Sequence, residues 1–406
     1  MNYQFLLPTL SLLLLSLPAT AGDDKAAARL KDLQARVARQ DFQEDKLRRD
    51  LLAFAREHVG TPLYAKALDA LRSVPAPLDR LDEKAIDAEE RKALAIRDLV
   101  AFERPNNRAV ASIAISFDGS LLATSGWDNV VHIYQLGGKE PKSWAKIDGS
   151  PSGIAFSADS KWLATGCADS HAIIWDVTGA MPKEAYKLSG HKSRPFAVAF
   201  PPKGPGFASA CAEPVLRLWK LEDVTPEVWA VIAKDKAPSL GISSLAFSHD
   251  GKFLVSGSMI GNQTLRIWDA SGAKLAEKSP DAKARLVACS PTEPILAFAG
   301  DDGLIHLWDL GKAPIEKLRK IDAHEGKKLP PIVKALAFSP DGKTFASSGQ
   351  DKRVRIWDVA TGQKRREWQF LDEARALAFS SDGRHLAIGN SDGTMYLLRI
   401  EVARLP

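Results

Sequence analysis

Charge is missing from the start of this chain: no Lys, Arg, Asp or Glu precedes Asp23. The apolar stretch FLLPTLSLLLLSLP is followed by ATA at 19–21 and then by the polar GDDK. An apolar segment ahead of a small-x-small site reads as a secretory signal peptide, residues 1–21, removed from the mature protein. Pro8 and Pro18 interrupt it, and it is short for a span of roughly 20 apolar residues, which argues against a retained anchor. No later run is long enough to cross a bilayer, so no membrane span is expected after cleavage. The expectation is a soluble exported protein, periplasmic or secreted.

Cysteine is scarce as well. Cys167, Cys211 and Cys289 are an odd number, too few for a disulfide framework, and buried free thiols within strands are expected. There is no C-x-x-C-H for haem and no paired C-x-x-C for zinc. G-x-S-x-G, a Gly-rich phosphate loop and a His–carboxylate cluster at metal-ligand spacing are also missing. No catalytic residue, metal or cofactor is therefore expected. Net charge is only +5, and residues 22–100 balance their acids and bases. A surplus spread thinly over the remainder is no nucleic-acid footprint, so no nucleic-acid partner is expected.

What is present begins with helical patterning. Residues 22–96 form the expected α-helical region. Leu30, Leu33, Val37, Leu47, Leu51 and Phe54 follow helical spacing across 24–58. HVGTPL at 58–63 ends one helix and starts another: Gly60 suits a left-handed C-terminal position, Thr61 an N-cap and Pro62 a first turn. The second helix runs to about Ser73, and DAEERKAL at 87–94 adds a short third. Charges of both signs read as the solvated face of a hairpin packed on the next domain.

The rest of the chain repeats itself. LRIWD at 265–269 and VRIWD at 354–358 have weaker echoes marked by Tyr134, Trp175, Trp219, Trp308 and Leu398. With Trp268 and Trp357 these are seven markers spaced 40 to 49 residues apart, a period that signals a repeat architecture. Each copy holds a first strand such as KALAFS, often an Asp-Gly turn, a second strand such as TFASSG, and a third carrying the marker. Six residues before the markers stand Asp128, Asp169, Glu213, Asn262, Asp302, Asp351 and Asp392, acceptors suited to a tight turn. Ten before them stand Thr124, Thr165, Ser209, Ser258 and Ser347, with Phe298 and Ile388 as exceptions. A buried indole N–H needs a partner, and a Ser or Thr, an upstream His and the turn Asp supply a chain of them. His324, Ser347, Asp351 and Trp357 make the complete set. In the His191 copy Glu213-Pro214 replaces the Asp turn, so the complete set is not expected there.

With these residues and this spacing the chain resembles a WD-repeat (WD40) β-propeller over about three quarters of its length. The resemblance implies an all-β, seven-bladed propeller at 97–404 behind the helical region. The last copy lacks a fourth strand before the chain ends, and RDLVAFER at 97–104 is the replacement that closes the ring.

A His–Ser–Asp trio also suits a hydrolase, but types recurring at fixed offsets in many copies hold blades together, whereas a catalytic site occurs once. In the family that the chain resembles, partners commonly dock on the loops before the first strand and between the second and third. There stand the exposed-aromatic candidate Trp127, with Asp301 and Gln350 at matching positions, and the cations Arg285, Lys334 and Arg375 of the last three copies. The insert HEGKKLPPIVK at 324–334 lengthens a loop on that face. The expected function is a monomeric, non-catalytic exported scaffold binding an acidic protein or peptide. A propeller enzyme (hydrolase- or lactonase-like) or carbohydrate-binding lectin of the envelope is the alternative.

Overall fold

The computed structural model describes residues 21–74 and 99–400 apart from short internal stretches. Residues 1–20 of the leader expected at 1–21, the helix expected at 87–94, Gly60, Glu213, Pro214, Asn262 and the loop at 325–331 lie outside the described residues.

Three helices come first: α1 (Ala21–Arg39), α2 (Glu44–Glu57) and α3 (Pro62–Arg72). The continuous helical pattern expected over 24–58 is thus divided in two. One straight rod would point its two apolar segments at nothing. Divided, it folds Leu30 and Leu33 against Leu47, Leu51, Phe54 and Leu68, none more than 4% exposed. The exposed Arg29–Glu57 pair at 2.7 Å decorates this core and adds little.

The remaining described strands form seven four-stranded antiparallel sheets. The sixth is representative: Val333–Phe338, Thr344–Gly349, Arg353–Asp358 and Lys364–Gln369. First strands of neighbouring sheets lie against one another, including those of the first and last sheets, so they surround an axis and the sheets radiate as blades. The last blade is composite. Its strands Ala374–Phe379, His385–Asn390 and Met395–Arg399 take Leu99–Glu103 as the fourth, with Phe102 opposite Tyr396 and Leu99 opposite Leu398.

The propeller core is divided among seven seams, each apolar cluster drawing on two neighbouring blades. The second strand lies between two blades, and LLATSG at 121–126 is buried throughout. Its small Ala, Thr, Ser and Gly residues let blades approach closely. The marker aromatics belong to these seams. Trp219 packs on the second blade, Trp268 on the third, Trp308 on the fourth and Trp357 on the fifth, each reaching back to the blade before its own. Cys211 and Cys289 end strands, whereas Cys167 lies one residue beyond its strand; all three are free thiols, Cys289 only half-buried. Cys167 N instead donates to the His171 carbonyl at 2.8 Å, just past the end of the strand.

The Asp-Gly turns join first to second strands at one end of the ring. Gly119, Gly251, Gly342 and Gly383 have φ between 69° and 74°, the left-handed region that favours glycine. The Asp side chain organises the turn: Ser380 Oγ donates to Asp382 at 2.6 Å, and Arg384 N donates to the same oxygen at 3.0 Å.

The helices dock across this turn end. The Arg56 guanidinium sits 5.3 Å from the Phe117 ring centroid and donates to Ser160 Oγ at 3.3 Å. On the last blade Arg384 donates to the Val74 carbonyl at 3.2 Å, and buried Arg48 lies 3.6 Å from buried Asp382. Burial alone would raise the Asp382 pKa, but the Arg384 and Arg48 charges, His385 and the Ser380 hydroxyl outweigh it and hold the pKa at about 2.

A carboxylate whose folded pKa is depressed stabilises the fold above its unfolded pKa and loses that contribution as pH falls through the folded value. Asp382 therefore contributes about 2 kcal/mol at neutral pH, lost between roughly pH 4 and pH 2. Asp382→Asn leaves Arg48 buried without its counter-charge. Urea unfolding at pH 7 should show a loss of about 3–5 kcal/mol, and the stability of the variant should fall less steeply than wild type between pH 4 and pH 2.

Candidate functional site

Two polar constellations sit at the end of the ring opposite the helices. The first is the chain beneath the sixth marker. Trp357 Nε1 donates to Ser347 Oγ at 2.8 Å, Ser347 Oγ meets His324 Nε2 at 2.9 Å, and His324 Nδ1 meets Asp351 Oδ1 at 2.8 Å. One donation order satisfies all four groups: indole to hydroxyl, hydroxyl to Nε2, Nδ1–H to carboxylate. Gly349 makes room for it, because a Cβ there would collide with His324 Nδ1.

Two members of this chain were not anticipated. Arg355 Nη1 donates to Asp351 Oδ2 at 2.6 Å, and its Nε donates to Glu367 on the outer strand at 2.6 Å. Burial would raise the Asp351 pKa, but His324 and Arg355 more than offset it and keep the carboxylate ionised. A signal for Arg355 existed two residues before the marker, where Arg217, Arg266 and Arg355, or His132 and His306, stand. His132 Nε2 reaches Asp128 Oδ2 at 3.1 Å in the first blade.

The third blade departs from expectation. Trp219 Nε1 donates to Ser209 Oγ at 2.8 Å, and His191 Nε2 lies 2.7 Å from the same oxygen. The chain therefore assembles here as far as the imidazole without an Asp turn. Arg217 Nη1 donates to His191 Nδ1 at 3.1 Å, which places the His191 proton on Nε2; at His324 the corresponding Arg355 Nη1 lies 2.7 Å from Nδ1, which Asp351 also meets. Burial, then the Arg217 charge, push the His191 pKa down to about 4, so the ring is neutral at physiological pH. The fourth blade corrects an assignment: Trp268 donates to Ser256 at 3.3 Å, not to Ser258. Leu254 stands opposite Trp268 where Phe345 stands opposite Trp357, so the segment joining the second and third strands is two residues longer and the ten-residue offset slips. In the fifth blade Phe298 meets Trp308 edge-on, with centroids 4.9 Å apart.

The second constellation is the loop face. Trp127 is 58% exposed, and the Arg375 guanidinium lies 5.4 Å from its ring centroid. Arg285 donates to the Val333 carbonyl at 2.7 Å, while its Nε sits 3.6 Å from Asp301, too far for a hydrogen bond. Lys334 and Arg375 share Glu373 at 3.7 Å and 3.8 Å. The basic crescent is therefore interleaved with two carboxylates, Asp301 and Glu373. Nε of Arg285 and Nε of Arg375 are buried with no acceptor among the described residues. Burial lowers the Lys334 pKa; Glu373 opposes this, and Arg375 and Arg285 reinforce it, which places the three cations within electrostatic reach of one another. Gln350 is occupied structurally: its Oε1 accepts from Ile332 N at 3.3 Å.

Beside these cations opens a cavity of about 420 Å³, lined by Trp127, Phe196, Ile154, Val198 and Leu245. Trp127 joins it to Arg375, and Ser243, also on its wall, donates to the Arg285 carbonyl at 2.6 Å. One side of the channel mouth is thus mainly apolar, with Arg194 also on its wall, and the other is cationic. Among the described residues no three His, Cys, Asp or Glu side chains converge to hold a metal ion, and no helix is long and apolar enough to cross a membrane.

Comparison with known proteins matches the family model described as WD domain, G-beta repeat at 99–135, 145–176, 182–220, 231–269, 284–309, 315–358 and 372–397, more than half of the chain. The first six segments each end one residue after a marker aromatic. The chain is 28% identical to Protein groucho of Drosophila melanogaster over 166 residues, covering 39% of this chain and 21% of that protein. It is 24% identical to Protein HIR1 of Cryptococcus neoformans over 241 residues, 49% of this chain and 25% of that one. A 66 kDa stress protein of Physarum polycephalum is 29% identical over 104 residues, 25% of this chain and 16% of that protein. The match thus spans a quarter or less of each relative's length.

Ser347→Ala removes the hydroxyl joining Trp357 to His324 and leaves two buried groups unpaired. The variant should lose about 1–3 kcal/mol in urea unfolding, with no change in binding at the loop face.

Proposed function

The chain belongs to the WD domain, G-beta repeat (WD40) family, and on that premise we propose that it is a non-catalytic scaffold whose loop face binds an acidic segment of another protein. The observation that carries this reading is Trp127, 58% exposed and stacked with Arg375 at the rim of an apolar cavity. A large exposed aromatic against a guanidinium is the usual make-up of a binding anchor. The Arg285 and Arg375 side chains stay 24% and 32% exposed, so a partner carboxylate gains charge-assisted hydrogen bonds at the accessible part of each guanidinium. Asp301 and Glu373 already sit among the cations. An incoming carboxylate exchanges with them, which favours partners that also fill the apolar side of the mouth.

The proposal extends to location. Residues 1–21 act as an export leader, and the scaffold works in the periplasm or outside the cell. Its support is the uncharged apolar stretch and the small-x-small site alone.

Trp127→Ala should weaken capture of a fluorescent acidic peptide about tenfold by anisotropy. Arg375→Gln should weaken capture at least tenfold, while it and Trp127→Ala remain folded by circular dichroism. Unchanged capture would remove the reading. On location, N-terminal sequencing of the protein recovered from an exporting host should begin at Gly22; an intact Met1 would refute cleavage.

A further inference from the structure

The end of the channel beneath the helices has an entirely different chemistry. A cavity of about 370 Å³ lies there, walled by residues of all seven blades and by Tyr64 of α3. That volume is within the range of small-molecule pockets, roughly 300–1,000 Å³. Phe156, Phe200, Phe247, Phe338 and Phe379, each at or beside the end of a first strand, turn toward this space. Among the described residues not one Asp, Glu, Lys or Arg stands on its wall.

Most hydroxyls at the wall are committed elsewhere. Ser157, Ser248 and Ser380 donate to the turn carboxylates Asp159, Asp250 and Asp382 at 2.5–2.7 Å. Two polar atoms are not. Ser381 Oγ, on a residue 9% exposed, and the buried Nδ1 of His249 find no hydrogen-bond partner among the described residues. Both residues stand on this wall but keep these atoms buried behind it, so the face offered to a ligand is chiefly apolar.

We propose that this cavity is a second binding site, for a small uncharged aromatic molecule. Stacked and edge-on phenyl contacts hold an aromatic skeleton. A charged ligand is refused because an ion buried there would have no counter-charge. A sugar is refused because its many hydroxyls would face a wall of phenyl rings. The helices complete the site: Tyr64 is 3% exposed, and Arg56 and Arg48 clamp its scaffold to the first, second and last blades.

The test uses two fluorescent probes with the same anilinonaphthalene skeleton. N-phenyl-1-naphthylamine is neutral, and 8-anilinonaphthalene-1-sulfonate carries a sulfonate. Full-length protein should bind the neutral probe saturably at one site and the sulfonate at least tenfold more weakly. Ala158→Trp, at a half-buried turn on the cavity wall, should occlude the site and weaken the neutral probe at least tenfold. Phe247→Leu, a milder change, should weaken it severalfold. Circular dichroism melts identify variants that fold. Equal affinity for both probes, non-saturable uptake, or unchanged binding in folded Ala158→Trp overturns the proposal. Trp127→Ala should leave probe binding unchanged, so this site and the acidic-peptide site fail independently.

Discussion

The seam between blades is the constraint on which everything else depends. A blade covers neither of its own faces: the second strand is buried from both sides, and the marker aromatic of each of blades three to six rests on the blade before it. No open stack of such sheets ends well, because the first and last would expose an apolar face and an unpaired edge. Closure is the only arrangement that covers every seam, and pairing Leu99–Glu103 with Met395–Arg399 makes the last blade depend on both ends of the domain. The helices reinforce this by gripping the same blade through Arg48 and Asp382.

Burying a tryptophan in each of five seams brings an indole N–H with it, and the polar chemistry of the ring follows from that need. Where Ser or Thr is available the indole donates to it, at 2.8–3.3 Å in four blades. The hydroxyl must then pass the demand on. In the sixth blade it runs through His324 to Asp351, Arg355 and Glu367, tying the loop, the turn and the outer strand together. In the third blade it reaches His191, and an arginine meets the far ring nitrogen there as it does at His324. The same residue types thus do one mechanical task in two blades, which is the behaviour of structural glue.

Much of this was legible in the residues themselves. Marker spacing gave seven units, Asp-Gly pairs located turns with glycine at positive φ, and the missing fourth strand pointed to 97–104. Fixed offsets failed where loop length changed, and so Ser258 stood in for Ser256. Arg355 escaped because a lone cation two residues before the marker looks like any solvent-facing strand residue until the turn acid is seen across from it. The break between α1 and α2 escaped because helical periodicity continues in phase on both sides of it. On the loop face, linear order placed Arg285, Lys334 and Arg375 together but could not show Glu373 bridging two of them, since that contact crosses from the sixth blade to the seventh.

The helices also decide which surface is free to work. By docking over the Asp-Gly turns they occupy one end of the ring, and Tyr64 lines the channel there. The opposite end keeps its loops, its exposed Trp127 and its clustered charges. Two of the rim cations stand on first strands whose other end lines the phenylalanine-walled cavity, so a single strand of about six residues presents a cation at one mouth and an aromatic at the other. Lys334 and Phe338 are such a pair, and so are Arg375 and Phe379. The ring therefore separates two chemistries along its axis, with charge kept at the loop mouth and apolar wall beneath the helices.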